Sequence, residues 1–373
     1  GTRKSIESLP AQLTNARAGS TLAADIIKIE DFYVPEPRDR VRLAPDAHDE
    51  LLLEVVLHTT RSAKMRQLVF DGFEAYSERL DLKPDFDGRF ETDGLCFLAM
   101  RAPKEQVENV AAFTFMRAVR EMPRLRQFRP FFPRNLPGME AFPVKLPTQN
   151  ATSPSVRVAI FDGGLPKNHG LGRWVSALDA GQLSSPVPEY QNHGMAVTSA
   201  LLFGPLSEEQ SPSTPPTNVD HYRVLDSDTA SDTQGELYDV LHRIDEVLKQ
   251  KQYPFVSLSI GPDFPIEDDD PSAWTTILDK HFGSGTTLAS VAVGNRGEED
   301  RATGYHRIQP PSDCVNALAV GAADSVGARW KRAPYSCMGP GRCPGFVKPD
   351  VVAFGGSRKE PFWALDGTGT HAS

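Results

Sequence analysis

VRVAIFDGG, Val156 to Gly164, is an apolar run closed by a carboxylate and two glycines. Unbroken Val, Ala, Ile and Phe suit a strand buried on both faces, as in a parallel sheet covered by helices. Runs of the same kind recur downstream: HYRVLD (His221 to Asp226), FVSLSIG (Phe255 to Gly261), TLASVAVGN (Thr287 to Asn295) and ALAVGAAD (Ala317 to Asp324). Helical segments such as GELYDVLHRIDEVLKQ (Gly235 to Gln250) alternate with them. That alternation predicts an α/β domain with a doubly wound, mostly parallel sheet. In such sheets the chemistry lies at the carboxyl ends of the strands, which places Asp162 and Asn295 beside a cleft.

Upstream the pattern differs. Residues 1 to about 45 are polar and Pro-punctuated, and read as an arm with at most one short helix. Leu51 to Thr59 is strand-like, and a helix from Ser62 carries Met65, Val69, Phe73, Tyr76 and Leu80 at steps of three and four. A second strand is expected over Leu95 to Ala102, then a helix from about Pro103 with Val107, Val110, Ala111 and Val119 on one face. The divisions expected are an arm (1–45), a small α+β domain (46–134), a Pro-rich linker (135–155) and the large domain (156–373). SEEQSPSTPPTN, Ser207 to Asn218, reads as a surface loop within the last.

At 373 residues the chain can hold two cores, and 39% hydrophobic with 24% charged residues is ordinary for a globular protein. A net charge of -9 argues against nucleic acid as a partner. No apolar run approaches the ~20 residues that span a bilayer, so no membrane partner is expected either. Cys96, Cys314, Cys337 and Cys343 are too few and scattered for a disulfide framework and read as buried or loop thiols. Together with the lack of a secretory leader, this predicts a cytoplasmic setting. The acidic runs Glu267 to Asp270 and Glu298 to Asp300 lack the alternating spacing of a calcium loop and read as solvated; no metal or other cofactor is expected.

Taken singly, Asp162 reads as a cap or loop ion pair, His193 as a structural histidine and Asn295 as a turn residue. Taken together, and in that chain order, they suit acyl transfer. The carboxylate orients an imidazole, the imidazole acts as general base, and the amide donates to an oxyanion.

These segments resemble the subtilisin (subtilase) family. VAIFDGG is similar to its strand-end Asp motif, and NHGMAVTS (Asn192 to Ser199) to its His-Gly-Thr-His-Val-Ala-Gly helix start, with Met195-Ala196 in place of Thr-His. VAVGNRG resembles the oxyanion-asparagine loop, and NALAVGAAD, YSCMGP and VKPDVVAFG match further signature runs. The resemblance implies a subtilisin-type endopeptidase acting on protein or peptide substrates. Its cleft would pair extended peptides with Ser257, Leu258, Ser259, Ile260 and Gly261, with Gly294 beside them. It also implies that the small domain is a prodomain of ferredoxin-like fold, docked on the large one and feeding Arg124 to Arg134 into the cleft. Those arginines are then expected to meet acidic loops such as Glu267 to Asp270.

One motif departs. The family's nucleophile lies in Gly-Thr-Ser-x-Ala-x-Pro, whereas this chain reads Asp366-Gly367-Thr368-Gly369-Thr370-His371-Ala372-Ser373. Aligning Gly369-Thr370 places His371 where a serine is expected, so the chain as it reads is expected to be inactive. The family's buried helix after that position is also absent, which points to a shortened or altered natural chain. The alternative is a catalytically dead subtilase fold used as a peptide-binding or regulatory module. A dinucleotide site fails for want of Gly-x-Gly-x-x-Gly after the first strand.

Overall fold

The computed structural model describes residues 3–17, 19–28, 35–43, 48–126, 140–230, 236–342 and 345–372. Cys343, most of the expected exit segment and Ser373 lie outside the described residues. The polar arm contains two helices rather than at most one, α1 (Arg3–Thr14) and α2 (Thr21–Ile26). Pro10 inside α1 hid the first, and the second starts at a Ser20 hydroxyl that accepts the Ala23 N–H.

The small unit runs β1 (Val41–Arg42), β2 (Glu50–His58), α3 (Ala63–Glu78), β3 (Pro84–Glu91), β4 (Leu95–Pro103), α4 (Val107–Ala111) and β5 (Met116–Glu121). Its sheet has the order β1-β5-β2-β4-β3, antiparallel except where β1 meets β5. From β2 onward the β-α-β-β-α-β succession is that of a ferredoxin-like fold. The second helix is shorter than expected. Val119 leaves its face for β5, where it pairs with Val55, because alternation takes over after Phe115. The polar β3 carries a bulge in which the Asp85 carboxylate accepts two backbone N–H groups, and its sequence gave no strand signal.

Between its polar ends β2 is apolar except for the buried Glu54, because both its faces are covered. Leu51, Leu53, Val55 and Leu57 pack with Val69 and Phe73 of α3 and Val110 of α4. Leu52 and Val56 share the other core with Phe97, Met122, Tyr238, Leu241 and Trp274. The small sheet thus lies between its own helices and residues of the large unit.

The large unit comprises β6 (Phe142–Pro143), β7 (Ser153–Asp162), β8 (Val175–Asp179), α5 (Pro188–Phe203), β9 (Thr217–Arg223) and α6 (Glu236–Gln250). It continues with β10 (Phe255–Leu258), α7 (Ala273–Phe282), β11 (Leu288–Ala292), β12 (Ala317–Ala323), β13 (Val351–Phe354) and β14 (His371–Ala372). Seven strands form one sheet in the order β13-β12-β11-β10-β7-β9-β8, every pair parallel. Alternate residues of β7 serve opposite layers. Ala159 and Phe161 pack with α6 and α7, whereas Ile160 packs with Met195 and Leu202 of α5. This is the doubly wound arrangement that the apolar runs imply.

Candidate active site

β7 ends at Asp162, which is fully buried. Its Oδ1 accepts the Gly163 N–H at 2.8 Å and lies 2.8 Å from Nδ1 of His193. An ionised carboxylate only accepts, so Nδ1 carries the proton and Nε2 is left as the basic nitrogen. His193 sits early in α5, a helix opened by Pro188 at its first position. Two glycines let that helix come down onto the strand end. A Cβ on Gly163 would overlap Tyr190, and one on Gly194 would overlap the Gly164 carbonyl oxygen.

Behind this pair lies a residue that the sequence reading passed over. His221 of β9 is buried, with Nδ1 2.8 Å from the Thr198 hydroxyl. Thr198 gives its own proton to the Gly194 carbonyl at 2.7 Å, so it must accept from His221 Nδ1–H. Nε2 of His221 is therefore unprotonated, and it has no hydrogen-bond partner among the described residues. Burial drives the imidazole's pKa down to about 4, against the pull of the Asp162 charge. The one available signal was the histidine that opens the strand-like run HYRVLD.

The carboxyl end of the same sheet carries the residues expected on β10 and after β11. Ser257 and Leu258 end β10, next to β7, and Ser259 to Gly261 continue beyond it. Leu258 and Ile260 turn their side chains into the core, so this stretch offers its backbone. β11 ends at Ala292, and Gly294 follows with φ +107°, a conformation open to glycine. Asn295 follows, half-buried. His371 lies in β14, paired antiparallel with β6, its Nδ1 3.0 Å from the Thr370 hydroxyl and its ring exposed. The preceding turn packs beside α5, since a Cβ on Gly367 would overlap Asn192 and one on Gly369 would overlap the His169 carbonyl.

Residues leaving the small sheet reach this end as well. Leu125 forms an antiparallel bridge with Pro262; Arg126 N–H donates to Gly261 O, and Asp263 N–H to Arg124 O, both at 2.8 Å. The acidic run Glu267 to Asp270 is met by arginines of the small sheet itself. Arg117 of β5 binds Asp270 at 2.6 Å, and Arg120 binds Glu267 at 2.8 Å. Asp268 and Asp269 are exposed as the composition implied, but Asp270 is only 8% exposed. Among the described residues no group of three His, Cys, Asp or Glu side chains gathers as a metal site.

The sequence profile of the Subtilase family, Peptidase S8, matches residues 81–372. The chain belongs to the subtilase family. Among solved structures, this subtilase is similar to the prenylagaramide maturation protease PagA at 18% identity, over 59% of this chain and 68% of that one, with a TM-score of 0.40. For the self-cleaved protease domain of PatA the figures are 17%, 58%, 72% and 0.41. For MycP1 from Mycobacterium smegmatis they are 14%, 67%, 72% and 0.40. No curated protein matches the chain. Among the described residues no helix is long and apolar enough to cross a membrane.

Proposed function

We propose that this subtilase is a serine endopeptidase in plan, held in check by its small N-terminal domain, with His371 at the position where the attacking serine belongs. The observation that carries this reading is the 2.8 Å contact between His193 Nδ1 and Asp162 Oδ1 at the carboxyl end of a parallel sheet. Asp162 fixes the tautomer and balances the imidazolium, His193 Nε2 takes the nucleophile's proton, and Asn295 donates to the oxyanion. Peptides pair along Ser257 to Gly261. The bridge from Leu125 to Pro262 supports the docked, inhibitory role of the small domain, because it takes up backbone groups a substrate would need. Buried free thiols at Cys96 and Cys314 fit a reducing, cytoplasmic setting.

A second reading, a catalytically dead peptide-binding module, is favoured by His371 alone. An exposed imidazole in β14 supplies no Oγ to attack a carbonyl.

The test is His371→Ser, made in a chain continued through a helix after residue 373. We expect labelling by a serine-directed fluorophosphonate, abolished by adding His193→Ala. Deleting residues 1–139 from the labelled form, which keeps β6 against β14, removes two backbone hydrogen bonds at Gly261 and Asp263, each worth about 0.5–1.5 kcal/mol. Peptide hydrolysis should rise roughly 5- to 100-fold. A folded His371→Ser chain that never labels would put the binding-module reading in its place.

A further inference from the structure

Arg126 is an unusual residue to find where it is. It follows directly on the bridge to Pro262, yet its side chain is turned inward and only 7% exposed. Its Nη2 donates to the Pro310 carbonyl at 2.9 Å and lies 3.2 Å from where a Cβ on Gly261 would stand. The recess therefore exists because residue 261 has no side chain. The residue before Pro310, Gln309, is a fully buried side chain that lies against Gly294. Gln309 Nε2 donates to Asp263 Oδ1 at 2.9 Å, and Arg296 reaches Asp263 Oδ2 at 3.5 Å.

We propose that this recess is a subsite for a guanidinium side chain, so that peptides taken by the cleft carry an arginine where Arg126 now sits. The proposal rests on the peptide-cleft reading above and adds the substrate class to it. A carbonyl acceptor aimed inward, a carboxylate at the wall and apolar proline sides suit a planar cation with a hydrocarbon stem. An aliphatic or aromatic side chain would leave the Pro310 carbonyl without its partner. Burial works against the charge of Arg126, and Asp263 works for it.

The fit of the chain's own arginine is incomplete. Among the described residues, its Nε and the Gln309 Oε1 are both buried without hydrogen-bond partners. A donor and an acceptor left unmet weaken the hold on Arg126. A peptide arginine that reaches more of these groups can displace it. Arg126 is thus a built-in stand-in for substrate, and leaves the recess when the exit strand peels from Gly261.

The test needs no hydrolysis. In the full chain Arg126→Ala empties the recess, and agmatine is the probe, with the neutral pentylurea as its control. We expect agmatine to raise the melting temperature of Arg126→Ala and not that of the unchanged chain, with at least tenfold weaker binding of pentylurea. Adding Asp263→Asn should weaken agmatine binding by tenfold or more. If Arg126→Ala does not fold alone, agmatine should restore the folded signal where pentylurea does not. Equal effects of the two compounds, or none from agmatine in either case, would overturn the proposal. A chain that labels with fluorophosphonate yet ignores agmatine would keep the peptidase reading and lose the arginine subsite. Agmatine binding without labelling would do the reverse.

Discussion

Gly194 lies so close to His221 that one added methyl group would touch the imidazole, with an ideal Cβ standing 3.0 Å from Cε1 and 3.1 Å from Nε2. The same Cβ would overlap the Gly164 carbonyl oxygen, which is backbone and cannot swing aside. The glycine after the candidate general base is therefore a packing requirement that joins α5, β7 and β9.

Gly194→Ala makes this measurable. In an exposed helix interior the change gains about 1 kcal/mol. Here overpacking should cost about 1–3 kcal/mol instead and lift His193 away from Asp162. Urea unfolding of the two chains decides the sign. A stabilised Gly194→Ala would mean that α5 stands farther from the strand end than described.

His221 gives the fold a defined acid sensitivity. Its folded-state pKa of about 4 lies below the ordinary 6.5, so between these values the unfolded chain binds more protons than the folded one. Stability from this residue is intact above pH 6.5 and is lost as pH falls toward about 4. The loss is about 2 kcal/mol at pH 5. Comparing urea midpoints at pH 7.5 and pH 5, we expect His221→Gln to remove most of that difference. An unchanged pH dependence in the variant would show that His221 is not held neutral.

What the sequence made legible follows from how each element is covered. β7 has helices on both its faces and β10, β11 and β12 lie inside the same sheet, so their runs are largely apolar and stand out, although Phe255, Leu288 and Leu318 are exposed on one face. Asp162 and His193 were readable because each closes or opens such an element in a recognisable motif. β3 and β8 lie at sheet edges and carry Asp85, Asp87, Ser176 and Asp179, which read as loop residues. The contacts of β5 were hidden for another reason. Arg117 and Arg120 alternate with apolar residues as solvated charges would, and only the tertiary structure brings Glu267 and Asp270 to them. The roles of Arg126 and Gln309 likewise depend on neighbours distant in sequence, Gly261 and Gly294.

Arg120 is the polar centre of the seam between the two sheets, and its partners come from both sides. Its side chain is 3% exposed and that of Glu54, to which its Nε donates, is 2% exposed. Nη1 reaches Glu267 and Nη2 the Pro271 carbonyl, while Tyr238 donates to the second oxygen of Glu54 at 2.8 Å. Burial opposes the guanidinium's charge, yet Glu54 and Glu267 hold its pKa above the ordinary value; burial raises that of Glu267. Such a group is costly to break and cheap to replace as a whole. Arg120→Ala leaves Glu54 as a buried, unpaired carboxylate and should cost about 3–5 kcal/mol. Arg120→Met with Glu54→Gln removes the fully buried charge pair, leaves only the part-exposed Glu267, and keeps an acceptor for the Tyr238 hydroxyl, so most of that loss should return. Urea denaturation of the single and double variants at pH 7.5 measures both. A single variant within about 1 kcal/mol of the parent would mean that water reaches Glu54, because only a solvated carboxylate tolerates the loss of its cation so cheaply.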